Sequence, residues 1–327
     1  MVDYLSPWVY ATMRCPLACR YCYVGQNGAD ISSDTLRRIG EVFPRLVRDG
    51  EVGEVVFRLA GGEPLLAFDF WKDTFARIVE PAENKCSVGL LTNLTVLNRE
   101  MVEWAKRYAK GGISTSLDGL TVSKPFHDGS SSAKTVMGNI ETLLANEFRH
   151  DISITTVLSE SNLKELPELA KKMVDWDVDW SINLDHYYDG GIGSGEILAA
   201  MVGAIEALLV GGYDMIHRFK FNNVSLAAGY DGCTAGEKLF AIGVNGEIWP
   251  CQTLSDRDPV GWLGDDLLEV LEVGSCDYGC GAHFTLAAEC QECALRSQCH
   301  GGCQLHGKRG QACRITKRVF YLVSQLV

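Results

Sequence analysis

The stretch ATMRCPLACRYCYVGQ, residues 11–26, decides how this chain is interpreted. It places Cys15, Cys19 and Cys22 within eight residues, and Tyr21 directly precedes the last of them. The stretch overlaps the end of a strand-like run, WVYATM (8–13), so we expect the three thiols at the carboxyl end of that strand. In parallel β/α folds, ligands bind at that end of the sheet.

The spacing of these cysteines favours an iron–sulfur cluster. Three thiolates can hold three corners of a cubic [4Fe–4S] cluster. The fourth iron then has no protein ligand and stays open for another molecule. For the three cysteines taken alone, a partial zinc knuckle or a buried group of reduced thiols are the alternatives.

Strand-like and helical segments alternate through the first two thirds of the chain. The strand-like runs are 8–13, 54–60, 85–93, 111–119, 152–158 and 179–185. The helical patterns are 34–47, 68–79, 98–108, 134–145, 163–175 and 195–209. This alternation predicts a parallel sheet with right-handed crossovers. Since six units are too few for a complete eight-stranded barrel, we predict an α/β fold with a partial (β/α)6 TIM-like barrel over residues 1–220 and a second domain over residues 221–327.

Composition excludes several classes of function. The chain has 327 residues, is 46% hydrophobic and 22% charged, and carries a formal net charge of −12. This charge argues against a nucleic-acid partner, which needs a basic footprint. The N-terminus has no signal-peptide pattern, and no run approaches the about 18 apolar residues of a membrane span. We therefore expect a cytoplasmic protein with no membrane or nucleic-acid partner.

Thirteen cysteines in a chain without a secretion signal indicate metal or catalytic roles rather than disulfides. Three lie in the N-terminal loop, and nine lie between Cys233 and Cys313. Two regions able to bind metal therefore flank a body almost free of thiols. Cys86 stands alone in an apolar run, and we interpret it as a small core residue.

The C-x3-C-x2-C pattern, with an aromatic residue before the last cysteine, resembles the radical S-adenosylmethionine (SAM) enzymes. Gly61-Gly62-Glu63-Pro64 ends the second strand-like run and matches the GGEP motif of that family. The resemblance implies that Cys15, Cys19 and Cys22 hold a [4Fe–4S] cluster whose open iron binds the amino and carboxylate groups of SAM. An external one-electron reductant then supplies the electron that cleaves SAM, and the 5′-deoxyadenosyl radical abstracts a substrate hydrogen.

The same resemblance implies further SAM contacts at strand ends. The two glycines allow close approach of the backbone, Glu63 would pair with the amine of SAM, and Tyr21 would lie against the adenine. Side chains that end the third and fourth strands would contact the ribose or carboxylate, although each also has a simple interpretation as a strand-end cap. The implied SAM-binding residues are Tyr21, Gly61, Gly62, Glu63, Asn93, Ser116 and Asp118.

One position departs from the family pattern. Many relatives carry an arginine shortly after a His-Asp pair, and this arginine clamps the SAM carboxylate. Here GSSSAKT follows His127-Asp128, so Lys134 is the available cation. A lysine is a point charge and lacks the bidentate geometry of a guanidinium group, so the contact to the SAM carboxylate stays open.

From about residue 225 to the C-terminus the chain resembles the SPASM extension of radical SAM enzymes. The run VNGEIWPC (244–251) fits the β-hairpin of this extension, with Asn245-Gly246 as its turn. A zinc ribbon is the competing interpretation. The seven cysteines expected in the extension are Cys233, Cys251, Cys290, Cys293, Cys299, Cys303 and Cys313.

The SPASM resemblance implies two auxiliary [4Fe–4S] clusters. It assigns to the first cluster Cys233, Cys251 and Cys303. It assigns to the second cluster Cys290, Cys293, Cys299 and Cys313. The first set lacks a fourth ligand, which either Cys276 or Cys280 could provide. Alternatively, the open iron binds a substrate thiolate, one of these two cysteines donates a hydrogen atom, or both are structural thiols.

An auxiliary cluster near the substrate can accept the electron that remains after hydrogen abstraction, which favours net oxidation, although radical epimerases also carry such clusters. SPASM proteins mainly modify peptides and proteins. The sequence therefore predicts a radical SAM oxidoreductase that installs a crosslink or thioether in a ribosomally made peptide, with a peptide or protein substrate as its partner. Epimerisation of a peptide residue is the first alternative, and a scaffold or electron-transfer protein with a silent SAM site is another.

Anaerobic sulfatase maturation, which oxidises a cysteine or serine to formylglycine, is a further alternative. Those enzymes typically carry an aspartate directly after the hairpin cysteine, and it is proposed as a base. In this chain Gln252 follows Cys251, and the nearest carboxylates are Asp256 and Asp258. This departure weakens the sulfatase interpretation.

Substrate contacts are indicated only weakly by the sequence. The segment DHYYDGG (185–191) leaves the sixth strand at the barrel mouth. Asp185, His186, Tyr187 and Tyr188 either face the substrate or form a solvated loop. Electrostatically, the acidic chain favours a basic leader segment, and presentation by a separate protein is the alternative.

Overall fold

The structure is a computed structural model, and it describes residues 2–25, 27–81, 85–148, 151–185, 192–227, 233–264, 266–278, 285–303 and 310–326. The chain forms two compact units. The first comprises residues 1–16, 22–114 and 234–285, and the second comprises residues 17–21, 115–233 and 286–327. Both units take residues from either side of residue 220, so the predicted division into a barrel domain and a cysteine-rich domain stays a prediction.

The first unit is built on parallel strands with helical crossovers. In chain order it contains β1 (Val2–Thr12), α1 (Ser33–Arg48), β2 (Val52–Gly61), α2 (Phe68–Val79), β3 (Cys86–Leu91), α3 (Arg99–Tyr108) and the start of β4 (Ile113–Ser116). Strands β1, β2, β3 and β4 are parallel neighbours in that order. The alternation confirms the predicted α/β class for this part of the chain.

The C-terminal part of the first unit adds strands on the other side of β1. These are β9 (Leu239–Ile242), β10 (Glu247–Trp249) and β11 (Gly261–Trp262), followed by α7 (Leu267–Tyr278). Strand β9 is parallel to β1, and β10 returns antiparallel to β9. The hairpin predicted for residues 244–251 is thereby confirmed, and its turn residue Gly246 has a φ of +93°, which favours glycine.

The second unit continues the β/α alternation. It contains the end of β4, α4 (Ala133–Ala145), β5 (Ile152–Leu158), α5 (Leu166–Trp176), β6 (Asp179–Leu184), α6 (Ser194–Val210), β7 (Phe219–Phe221) and β8 (Val224–Ser225). Its last part contains α8 (Ala288–Gln291), α9 (Arg296–Cys299) and α10 (Gln311–Leu326). Strands β5, β6 and β7 are parallel, and β8 is antiparallel to β7.

Local sequence explains where several helices begin and continue. The Ser32 hydroxyl accepts a 3.0 Å hydrogen bond from the Thr35 amide at the start of α1. Asn98 caps α3 as predicted, because its side chain accepts a 2.9 Å hydrogen bond from Met101 N. Helix α1 continues through Pro44 to Arg48. The helix predicted from residue 163 begins instead with a 3₁₀ turn, and its α-helical part starts at Leu166.

Each strand has two faces. One is fully buried and packs against the helices, and the other is more polar. Along β5 and β6, buried apolar residues alternate with half-buried positions such as Thr155, Ser181 and Asn183. In the first unit the Phe57 ring packs edge-on against Phe43 at 5.0 Å between ring centroids. Each such fully buried ring contributes about 1.5–3 kcal/mol. The apolar face stabilises the fold, and the more polar face carries side chains that can form hydrogen bonds with a ligand.

Candidate active site

The turn after β2 is held tightly against the chain that leaves β1. Gly61 has a φ of +136°, and the amide of Gly62 donates a 2.8 Å hydrogen bond to the carbonyl of Thr12. A Cβ on Gly61 would lie 2.1 Å from that carbonyl oxygen. A Cβ on Gly62 would lie 2.2 Å from the carbonyl oxygen of Arg14 and 3.0 Å from the Cβ of Cys15. Only glycines allow this approach, so the turn positions the start of the cysteine loop.

Glu63 is fully buried and accepts three hydrogen bonds. Its Oε1 accepts from Leu65 N at 3.0 Å and from Thr92 Oγ1 at 2.7 Å, and its Oε2 accepts from Asn93 N at 2.7 Å. A carboxylate offers about four acceptor positions. Since the described residues fill three of them, Oε2 can accept one more hydrogen bond, for example from a ligand. Burial raises the pKa of Glu63 to about 7, against the hydrogen bonds, which lower it.

Asn93 connects this turn to the first cysteine of the loop. Its side-chain amide donates to the sulfur of Cys15 at 3.4 Å, and its Oδ1 accepts from Thr95 N at 3.0 Å. Cys15 is half-buried, and Cys22 is exposed. The glycine cradle and the amide directed at the Cys15 sulfur fit a cluster ligand in this position, because thiolates in iron–sulfur sites accept such hydrogen bonds.

Residues 17–21, which include Cys19, belong to the second unit. There the Ala18 amide donates a 2.9 Å hydrogen bond to the carbonyl of Pro125. The Tyr21 hydroxyl donates a 2.5 Å hydrogen bond to Asp118 Oδ2. Burial, and after it the Asp118 carboxylate, raises the pKa of Tyr21 well above its ordinary value. The phenol therefore stays protonated and ties the middle of the cysteine loop to the segment that follows β4.

Asp118 is itself held by the strand beside it. Its Oδ1 accepts a 3.0 Å hydrogen bond from Val157 N, and its backbone carbonyl accepts a 2.8 Å hydrogen bond from Asn162. The Asn162 amide also donates to the Val157 carbonyl at 2.7 Å. Asn162 was missed by the sequence analysis, because it lies four residues beyond the end of β5 with no motif around it.

Lys124 is a second residue that the sequence analysis missed. Its ammonium group donates to the Ser116 hydroxyl and lies 5.7 Å from the centroid of the Tyr21 ring. Lys134, the cation singled out from the sequence, lies exposed in the first turn of α4. Within the second unit, Lys124 is thus the lysine that contacts the predicted SAM-binding residues. A cation eight residues after Ser116 carried no signal that distinguished it from other surface lysines.

In the second unit, the C-terminal cysteines assigned to the second auxiliary cluster interact electrostatically, and this changes the pKa values of two of them. Burial raises the pKa of Cys299, and the thiols of Cys313, Cys293 and Cys290 raise it further. Burial likewise raises the pKa of Cys313, and the positive charge of Lys317 lowers it. The thiols of Cys313 and Cys293 raise the pKa of Lys317, which follows Cys313 by one helical turn on α10.

In the part of the chain that the structure describes, these four thiols do not converge on one point, as binding of a single metal ion requires. Within the described ranges, no group of three or more His, Cys, Asp or Glu side chains is close enough to hold one metal ion. A tetrahedral zinc ion draws each sulfur to about 2.3 Å from one point. An iron–sulfur cluster places iron and sulfide atoms between its ligands and therefore accepts thiols that are further apart.

The remaining cysteines are distributed over both units. Cys251 is buried after β10, and its sulfur lies 3.4 Å from Gln252 Oε1. Cys233 is half-buried and Cys303 is exposed. Cys86 is buried in β3, which confirms it as a core residue. Cys280 and the side chain of Cys276 lie outside the described residues.

Tyr23 lies near thiols from two different predicted cluster sets in the first unit. Burial raises the pKa of Tyr23, and Tyr10, Cys251 and Cys22 raise it further. The Tyr10 hydroxyl donates a 2.7 Å hydrogen bond to the Gln252 carbonyl. Tyr10 therefore contacts the residue that follows the hairpin cysteine, and Tyr23 interacts electrostatically with Tyr10, Cys251 and Cys22.

Of the predicted substrate segment, only Asp185 is described, and residues 186–191 lie outside the described part of the chain. Asp185 is half-buried and contributes to the raised pKa of Tyr21. On the same strand face, Asn183 Oδ1 is buried and has no hydrogen-bond partner among the described residues. A buried carbonyl oxygen without a donor is costly, so this face of β6 suits a ligand that donates a hydrogen bond.

None of the helices in the described residues is both long and apolar enough to cross a membrane.

A family model described as the Radical SAM superfamily matches residues 9–173. The serine-type anaerobic sulfatase-maturating enzyme of Klebsiella aerogenes is 24% identical over 319 residues, which cover 89% of this chain and 77% of that protein.

Two solved structures show the same fold. One is anSMEcpe with bound AdoMet and Cp18Cys peptide, with a TM-score of 0.76, 18% identity, and coverage of 98% of this chain and 97% of that chain. The other is Streptococcus suis SuiB bound to the precursor peptide SuiA, with a TM-score of 0.69, 18% identity, and coverage of 93% of this chain and 73% of that chain.

Proposed function

The chain belongs to the radical SAM superfamily, and we propose that it matures a ribosomally made peptide by installing a crosslink or thioether. Membership implies a [4Fe–4S] cluster and SAM as cofactors. When bound, the reduced cluster supplies the electron that cleaves SAM, and the resulting radical removes a hydrogen atom from the substrate. Peptide substrates are supported by the two structural relatives, which contain a bound Cp18Cys peptide and the bound precursor peptide SuiA.

The residues proposed for the N-terminal cluster are Cys15, Cys19 and Cys22. Gly61 and Gly62 leave space for the loop, and the Asn93 amide stabilises negative charge on the Cys15 sulfur. Tyr21 and Asp118 hold the loop segment around Cys19, and Ser116 orients the Lys124 ammonium group. We assign the SAM amine to Glu63, whose Oε2 can accept one more hydrogen bond, and the SAM carboxylate to Lys124.

The four neighbouring thiols of Cys290, Cys293, Cys299 and Cys313 are the observation that carries the oxidative part of the proposal. Forming a crosslink removes two hydrogen atoms from the substrate. One leaves with the 5′-deoxyadenosyl group, and the other leaves as a proton and an electron. A cluster held by these four thiols would accept that electron, and an epimerase, which returns a hydrogen atom, needs no such acceptor.

Formylglycine formation is the second candidate, because the Klebsiella aerogenes relative is a sulfatase-maturating enzyme. One observation in the first unit opposes it. The position after Cys251 carries Gln252, whose amide cannot act as a base, and Asp256 and Asp258 are both exposed. The two reactions differ in their products, since formylglycine contains an aldehyde and a crosslink does not.

The proposal is tested by anaerobic co-expression with each short reading frame that flanks the gene, followed by intact mass measurement of the peptide. A loss of two hydrogen atoms that disappears in Cys19→Ala is the expected result. Fragmentation then locates the bond, and an aldehyde-reactive hydrazide should not label the product. Labelling would assign formylglycine formation. An unchanged mass with deuterium uptake from heavy water would assign epimerisation, and neither change in any peptide would refute peptide maturation.

A further inference from the structure

Helices α1 and α2 of the first unit enclose a surface cavity of about 1060 Å³ that the proposed reaction does not use. This volume is at the upper end of the range of about 300–1,000 Å³ typical of ligand pockets. We call it the α1/α2 groove and define it by Arg37, Gly40, Arg48, Phe70, Arg77 and Lys85, which are among its lining residues.

The α1/α2 groove is basic although the chain as a whole carries a net charge of −12. Its lining contains four cations, at positions 37, 48, 77 and 85, and one anion, Glu41. Arg37 is neutralised by Glu41 and Asp34, each at 2.6 Å. Arg77 and Lys85 form no ion pair with any residue that the structure describes. Arg48 lies 3.6 Å from the Asp49 carboxylate. Among the residues that the structure describes, two uncompensated cations therefore remain at the groove.

The same groove offers apolar surface. The side chain of Phe70 is 59% exposed, although phenylalanine is one of the residues most often buried. Pro44 and Val47 of α1, both half-buried, also line the groove. An apolar ring between cations suits a partner that combines negative charge with a bulky apolar side chain.

Gly40 leaves the groove open on the side of α1. It lies in the middle of the helix, where glycine costs about 1 kcal/mol relative to alanine. A Cβ at this position would meet no atom within 4 Å. Packing therefore does not require glycine here, and a larger side chain would extend into the groove.

We propose that the α1/α2 groove binds an acidic peptide segment that carries a bulky apolar residue. Its carboxylates pair with Arg77 and Lys85, and its apolar side chain packs on Phe70 beside Gly40. The charge complementarity decides the class of partner. Two free cations are too few to hold a nucleic-acid backbone on so acidic a chain. Identifying the segment as a part of the peptide substrate away from the modified residues rests on the proposed function.

Binding is measured by fluorescence anisotropy with the cluster-loaded enzyme under anaerobic conditions. The probes are two fluorescein-labelled peptides of equal length, one of alternating Glu and Leu and one of alternating Lys and Leu. We expect the Glu-Leu peptide to bind and the Lys-Leu peptide not to bind. Arg77→Glu/Lys85→Glu and Gly40→Trp should each weaken binding about tenfold or more, the first by charge and the second by filling the groove.

A matched control separates local from overall charge. Arg99→Glu/Lys164→Glu changes the net charge equally at two exposed lysine or arginine positions outside the groove, and it should leave binding within about twofold of wild type. Reductive SAM cleavage, unchanged in every variant, shows that each is folded. Equal binding by wild type and both groove variants, equal binding of the two peptides, or no binding of the Glu-Leu peptide would overturn the proposal. Groove binding without modification of any flanking peptide would instead refute the proposed function alone.

Discussion

The hydroxyl of Tyr21 donates a 2.5 Å hydrogen bond to the carboxylate of Asp118, 97 positions further along the chain. The sequence implied that both residues contact SAM separately. In the second unit they contact one another, and the Lys124 ammonium lies over the same ring. This pair therefore positions the segment around Cys19, and we expect substitution of either residue to weaken SAM binding through the position of this segment.

We expect Tyr21→Phe to raise the dissociation constant of SAM about tenfold. A hydrogen bond to a charged group contributes about 1.5–3 kcal/mol, and tenfold corresponds to about 1.4 kcal/mol. Because the two residues act as one unit, Tyr21→Phe/Asp118→Asn should bind SAM no more weakly than the worse single variant. Isothermal titration calorimetry on anaerobic, cluster-loaded protein measures this.

The matched control for this prediction is Tyr108→Phe. Tyr108 also donates to a carboxylate, Glu80, at 2.9 Å. It lies on α3 outside the predicted site, so its removal should leave SAM binding unchanged. Fully additive effects of the Tyr21 and Asp118 substitutions would show that the two residues act independently.

Lys124→Met should weaken SAM binding about tenfold or more, because it removes the positive charge beside Ser116 and Tyr21. Lys134→Met removes an exposed charge of the same kind from α4 and should change the dissociation constant less than about twofold. Equilibrium binding of SAM to both variants provides the comparison. The opposite ranking would return the carboxylate contact to Lys134.

The stability of the protein without SAM should fall as the pH rises towards 7, in part because of Glu63. Its pKa is raised from 4.5 to about 7 in the folded state, so the folded protein binds a proton that the unfolded chain has released. Between about pH 5.5 and pH 7, this difference should lower the free energy of unfolding by about 2 kcal/mol.

Glu63→Gln provides the comparison for this pH dependence, because an amide does not ionise in this range. In this variant the glutamine nitrogen would face the Asn93 backbone amide, also a donor, and this lowers the stability of the variant at every pH. The stability of the variant should nevertheless depend less on pH than that of wild type. Urea unfolding of both proteins at pH 5.5, 6.2 and 7 measures the two slopes. Parallel slopes would refute a raised pKa at Glu63.

We expect about twelve iron atoms per chain in the loaded protein, four for each of three clusters. Cys299→Ala should remove about four of them, because it breaks the thiol set in the second unit. Cys86→Ala, a buried cysteine outside every predicted set, should remove none. Iron and zinc analysis by mass spectrometry decides this, and zinc together with about four irons would refute the auxiliary clusters.

Lys317→Met should lower the reduction potential of the cluster proposed for Cys290, Cys293, Cys299 and Cys313. The Lys317 ammonium interacts electrostatically with the thiols of Cys313 and Cys293, and a positive charge beside a cluster stabilises its reduced, more negative state. Arg318→Met, the next residue on α10, is the matched control. Electron paramagnetic resonance during redox titration reports the potential, and equal potentials in both variants would exclude Lys317 from this role.

The repeating pattern was sufficient to predict the α/β class, the order of strands and helices, and the hairpin around Asn245-Gly246, because period-two and period-3.6 burial and turn chemistry are local properties. The Asn98 cap was predictable for the same reason. The 3₁₀ start of the helix at residue 163 was not, since 3₁₀ and α turns accept the same residues.

The sequence by itself determined the family and predicted which residues carry chemistry, because clustered cysteines and the Gly61-Gly62 pair have few structural explanations in a chain of this kind. Only the tertiary structure decided their partners. Tyr21 contacts Asp118, Lys124 rather than Lys134 contacts Ser116, and Arg77 and Lys85 both line the α1/α2 groove. Contacts between distant segments depend on how strands and helices pack and not on spacing along the chain.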